Sequence, residues 1–210
     1  MRLTRQDRKA WNRRFQEIQT PGELAGLVEQ LFEQVGTEFF TQAGLAFVRE
    51  AWVAAQHGLI LGADCARLST ATDYDCEVIT AGMLQKYEIT EADQIGRRRG
   101  DEYSLGKEEG IRRDPFEEVR KRASQSSRML QSAINKKLSK KYPADVGLIV
   151  YLNLMEYGWF EELVEKAISE QIKMAMSTFE IVDVHWQDRV FRMRHGQSDM
   201  EVFRKQQTTV

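Results

Sequence analysis

Residues 73–93 read DYDCEVITAGMLQKYEITEAD. Two runs rich in β-branched and aromatic residues, Tyr74–Thr80 and Leu84–Thr90, stand on either side of Ala81-Gly82, the pattern of a tight β-hairpin. A turn there sets Asp75 opposite Glu88, Asp73 opposite Thr90 and Glu77 opposite Lys86. Side chains alternate along a strand, so these six share one face. Tyr74, Cys76, Val78, Gln85, Tyr87 and Ile89 take the other face, which is mostly apolar and turns toward a core.

Outward from this hairpin, helical and strand patterns alternate. Thr20-Pro21-Gly22-Glu23 is a helix start, with Thr as cap, Pro in the first turn and Glu three residues on. Leu24, Leu27, Val28, Leu31 and Phe32 then mark its inner side. A second helix is predicted from about Glu38 to Gln56, ended by Gly58, with a strand-like Leu59–Leu61 after it. The polar segment 97–113 reads as a loop. Asp114-Pro115-Phe116-Glu117 opens a long helix reaching about Lys141. Val146–Leu152 is a continuous apolar run, as a buried central strand is. A helix over about Phe160–Met176 precedes a hairpin, Glu180–Trp186 and Arg189–Met193, and the last dozen residues read as frayed. The fold class expected is α/β, a mixed central sheet flanked by helices. Residues 1–20 form a basic arm, and 21–200 a single domain with no boundary visible within it.

Bulk composition narrows the function. Hydrophobic residues make up 42% of the 210, enough for a core and too much for a disordered chain. Two cysteines and three histidines exclude a disulfide scaffold and a dense zinc site. No stretch is long and apolar enough to span a bilayer and the N-terminus has no apolar run, so the expectation is a cytoplasmic protein without membrane contact. The histidines, His57, His185 and His195, lack ligand spacing. The oligomeric state stays open, a homodimer included.

The net charge of −2 hides a segregation. Residues 64–93 hold seven acids against Arg67 and Lys86, whereas residues 96–141 hold fourteen Lys and Arg against seven acids. A basic wall beside an acidic face suits a phosphodiester partner, and nucleic acid is the one expected. Arg97, Arg98 and Arg99 in the loop, and Lys121 and Arg128 on the long helix, are the candidate phosphate contacts, with Ser124, Ser126 and Ser127 beside them. Ion pairs within that helix, Glu117–Lys121 and Glu118–Arg122, are the plainer use of the same charges.

Like charges directly opposite on a sheet repel. Lys86 answers Glu77, but nothing in the hairpin answers Asp75 and Glu88. Three arrangements relieve this: a solvated face, an arginine from elsewhere, or a divalent cation, for which carboxylate oxygens are the preferred ligands.

The stretch 73–93 resembles the signature hairpin of the PD-(D/E)XK, or restriction-endonuclease-like, nuclease superfamily. The run KKYPADVGLIVYLNL at 140–154 is similar to the strand after that family's long helix. The element order from about residue 38 to 194 is similar to its α-β-β-β-α-β core. The resemblance implies Mg²⁺-dependent phosphodiester hydrolysis, with Mn²⁺ as substitute. Asp75 would be the first acid, with Asp73 as its stand-in, and Glu88 the second, while Glu50 or Glu38 completes the metal site from a helix. The family's lysine position holds Thr90, which carries no charge for an attacking hydroxide or an anionic phosphorane. Lys86, or a basic residue of the long helix such as Lys121, Arg122 or Arg128, would take its place. Without such a substitute, the same fold would serve as an inactive module binding nucleic acid or protein.

Overall fold

The computed structural model describes residues 2–36, 44–93, 115–155 and 158–205. Ala81 and Gly82 have φ of 51° and 75°. Left-handed geometry at both positions is the two-residue turn whose twist matches a hairpin. The strands it joins are β2 (Cys76–Thr80) and β3 (Met83–Ala92). The described residues divide into two compact units, one up to Lys86 and one from Tyr87 on, so β3 begins in the first and continues into the second.

In the first unit, α1 is Arg5–Phe15, α2 is Pro21–Val35 and α3 is Ala46–Leu61. Thr20 caps α2 as predicted: its hydroxyl accepts from the Glu23 N–H, and the Glu23 carboxylate accepts from the Thr20 N–H. Thr4 and Asp7 repeat the device on α1, which gives the basic arm a defined start. The arm is anchored, since Leu3 and Phe15 are buried. Leu24, Val28 and Leu31 are buried on α2, whereas Phe32 is exposed.

Two expectations about α3 need correcting. Gly58 does not end it, and Leu59–Leu61 is its last turn rather than a strand. A Cβ on Gly58 would lie 2.8 Å from Pro21 Cγ, so this glycine lets α2 approach. The cap is Gly62, at φ 63° and ψ 38°. The next strand is β1 (Cys65–Leu68), too short to show a pattern; it pairs antiparallel with β2, Leu68 opposite Cys76.

In the second unit, α4 is Phe116–Leu138, β4 is Val146–Leu152, α5 is Glu161–Ala175, β5 is Ile181–Trp186 and β6 is Arg189–Arg194. Residues 201–204, expected to fray, form β7 (Glu201–Arg204) antiparallel to β6. β4 and β5 are parallel and α5 is their crossover. A parallel strand beneath such a helix is buried on both faces, and so β4 reads as an unbroken apolar run. Met129, Leu130 and Ile134 of α4 and Val164, Ile168 and Ile172 of α5 bury against Leu148, Val150, Val182 and Val184. Backbone hydrogen bonds order the seven described strands β1 to β7 in chain sequence, a mixed sheet of an α/β protein. No described helix is long and apolar enough to cross a membrane.

One polar cluster lies inside the second unit. Asp183 on β5 faces Arg192 on β6. Arg192 Nε donates to Asp183 Oδ1 at 2.8 Å, and its terminal nitrogen donates to Oδ2 at 2.7 Å and to Tyr87 Oη at 2.9 Å. Burial works against the guanidinium charge, but Asp183, with lesser help from Tyr87 and Glu201, outweighs it and raises the Arg192 pKa further. Gly147 on β4 makes room for the Tyr87 ring, whose Cε1 would lie 2.9 Å from an added Cβ. Asp183→Ala strips a buried guanidinium of its partner and is expected to cost about 3–5 kcal/mol in urea unfolding, far more than removal of the exposed Glu117–Arg120 pair.

Candidate functional site

Half of the hairpin face read as polar is buried. Glu77, Glu88 and Thr90 are each at most 9% exposed, and so are Cys76, Val78, Tyr87 and Ile89 on the other face. A carboxylate in that setting requires a partner. Each of the two glutamates has its own.

In the first unit, Arg67 on β1 stands opposite Glu77 on β2. Its Nε and a terminal nitrogen lie 2.7 and 2.6 Å from Glu77 Oε2, and Tyr74 Oη donates to Oε1 at 2.6 Å. The cation answering Glu77 is therefore an arginine from the neighbouring strand and not Lys86, whose Nζ lies 5.5 Å from the centre of the Tyr74 ring. The bond to Glu77 raises the Tyr74 pKa, because ionisation would remove the donated hydrogen and set a phenolate beside a carboxylate. Asp73 and Asp75 precede β2 instead of lying on it. Asp73 is exposed, and Asp75 is half-buried in a segment closed by Ser69 N–H donating to the Asp75 carbonyl at 2.9 Å. Glu50 is half-buried on α3.

In the second unit, Lys137 from the end of α4 places Nζ 2.5 Å from Glu88 Oε1, and Tyr142 Oη donates to the same oxygen at 3.1 Å. The two charged side chains are 15% and 9% exposed. Among the described residues both polar contacts fall on Oε1. A carboxylate with one oxygen held by an ammonium can present the other to a hard cation, and the ammonium can stabilise an anionic oxygen nearby.

Lys137 was not among the long-helix residues singled out from the sequence, although the helical period pointed to it. Val119, Ala123, Ser126, Met129, Leu130, Ala133 and Ile134 are the buried stripe of α4, and 137 is its next position. A lysine on an apolar stripe is the readable signal. Lys121 and Arg128 are exposed on the same helix, and Arg122 is half-buried. Arg120, not Lys121, pairs with Glu117, at 2.6 Å. The serines beside them are engaged: Ser124 and Ser126 donate to carbonyls of their own helix, and Ser127 accepts from Gln171. Arg97, Arg98, Arg99 and Glu38 lie outside the described residues.

Among the described residues, no three of His, Cys, Asp and Glu come together as a metal-binding group. At the far end of β3, Asn153 donates to Asp93 at 2.7 Å. Comparison with known proteins adds no relative: no family model, no curated protein and no solved structure matches this chain.

Two measurements follow. Lys137→Met, Glu88→Gln and the double variant should show a coupling of about 1–3 kcal/mol in a double-mutant cycle, with the double variant more stable than Lys137→Met alone; additive effects would deny the pair. Ultraviolet titration, compared with a Tyr74→Phe difference spectrum, should place the Tyr74 phenol above its ordinary range, and Glu77→Gln should lower it.

Proposed function

We propose that this chain is a divergent restriction-endonuclease-like protein acting on nucleic acid by Mg²⁺-dependent phosphodiester hydrolysis. The observation that carries this reading is the ammonium of Lys137 at Glu88. It supplies the positive charge that Thr90 withholds at the motif's lysine position, next to the motif's second acid. The element order α3-β1-β2-β3-α4-β4 supports it, being the α-β-β-β-α-β order that the resemblance implies. Glu88 would offer Oε2 to the cation, and Tyr142 would help hold Oε1 in place. The motif assigns the first acid to Asp75, with Asp73 as its stand-in, Glu50 or Glu38 as the acid from a helix and Lys86 as a second source of charge. Lys121 and Arg128, exposed on α4, would meet backbone phosphates, as would Arg97, Arg98 and Arg99.

A second reading has its own support. The Glu88–Lys137 pair is already neutral, and no three metal-ligating side chains gather among the described residues. That favours an inactive module that binds nucleic acid through its basic segment. The two readings part in one assay. Plasmid, single-stranded DNA and RNA are incubated with the protein in Mg²⁺, Mn²⁺ or EDTA, beside Glu88→Gln, Lys137→Met and Asp75→Asn. The nuclease reading expects metal-dependent cleavage that Lys137→Met slows by about 100-fold or more. Cleavage unchanged in Glu88→Gln and Lys137→Met would overturn it. Salt-sensitive binding without cleavage selects the module.

A further inference from the structure

The second unit bears an open concavity of about 390 Å³ remote in sequence from Glu88, at the end of α5 and just beyond β6. Lys173, Arg194 and His195 line it, with Met176 and Met193 as an apolar wall and no carboxylate in the lining. Arg67, Lys137, Arg189 and Arg192 each lie within 2.7 Å of a carboxylate oxygen, whereas at this pocket Lys173 and His195 are exposed and Arg194 is half-buried. Among the described residues Lys173, Arg194 and His195 make no ion pair. Lys173 and Arg194 set two like charges around one concavity without an acid, and a bound anion relieves their repulsion.

The backbone around the pocket is tied down. Arg194 stands opposite Ile181 at the end of the β5–β6 ladder. The His195 N–H donates to the Glu180 carbonyl at 2.8 Å. Gly196, at φ 82°, turns the chain so that the Gln197 N–H reaches the Arg194 carbonyl at 3.1 Å. Met176 is half-buried and offers a polarisable thioether, which packs well on flat rings, while Met193 belongs to the core beneath it. The volume is at the lower end of the usual range of ligand pockets, about 300–1,000 Å³. We propose that this pocket binds a small phosphorylated ligand with a planar body, of the nucleoside monophosphate class: Lys173 and Arg194 take the phosphate and Met176 takes the ring. The site stands apart from the nuclease reading and does not depend on it.

Calorimetric titration of the full chain with AMP, adenosine and inorganic phosphate tests it. Saturable AMP binding below about 1 mM is expected, with adenosine and phosphate each at least about tenfold weaker. Arg194→Gln and Lys173→Gln should each weaken AMP by about tenfold, the loss of one charge-assisted contact. AMP binding is read in EDTA, where metal-dependent cleavage does not operate, which keeps this result separate from the cleavage assay. Because Arg194 and Lys173 make no ion pair among the described residues, the variants should keep the parent's urea midpoint, so weaker binding reports the site and not unfolding. AMP and adenosine binding alike, a double Lys173→Gln/Arg194→Gln variant with unchanged AMP affinity, or no saturable AMP binding would each overturn the proposal.

Discussion

Glu77, Glu88, Asp183, Arg189 and Arg192 all stand on strands whose two faces are both buried, and none is more than 7% exposed. A charge in that position is tolerated only beside an opposite one, because desolvation of a lone ion exceeds anything that packing returns. The structure meets this constraint in two ways. Glu77 and Asp183 find an arginine directly across the ladder, Arg67 and Arg192. Glu88 and Arg189 reach instead to a helix, Glu88 to Lys137 on α4 and Arg189 to Glu161 and Glu165 on α5. Arg189 also covers the Trp186 ring, 4.5 Å from its centre, so one guanidinium joins helix, strand and aromatic core.

This pairing gives the glutamate of the hairpin its chemical interest. A solvated Glu88 would be one acid among many. Buried, with one oxygen held by an ammonium and a phenol, it is oriented and its charge is offset in a site with little water. Such an arrangement serves catalysis or rigidity equally well in principle. The difference lies in whether a cation joins it, which is why the proposed assay varies the metal and the pair together.

The hairpin, the Thr20–Glu23 capping box, the long helix, the apolar strand β4 and the β5–β6 hairpin were all legible, each from local chemistry. Ala81-Gly82 permits the turn, Thr20 and Glu23 satisfy each other's backbone, and β4 lacks polar residues because helices cover it. What failed to read is instructive in the same terms. Gly58 looked like a terminator and is a contact, since a glycine that admits a neighbouring helix and one that ends its own are the same letter. β1 and β7 are four residues long, below the length at which alternation becomes a pattern.

The sequence by itself determined the 74–90 hairpin, the long helix, β4, α5 and the β5–β6 hairpin, because caps, turns and apolar periodicity act over a few residues. It also determined that opposite charges are segregated along the chain. Only the tertiary structure decided which cation meets which acid. Alternation on a hairpin names the residues on a face but not what covers that face, so Arg67, not Lys86, answers Glu77, and Lys137, some fifty positions away, answers Glu88. Burial turned these choices into requirements, and burial is set by the packing of distant segments.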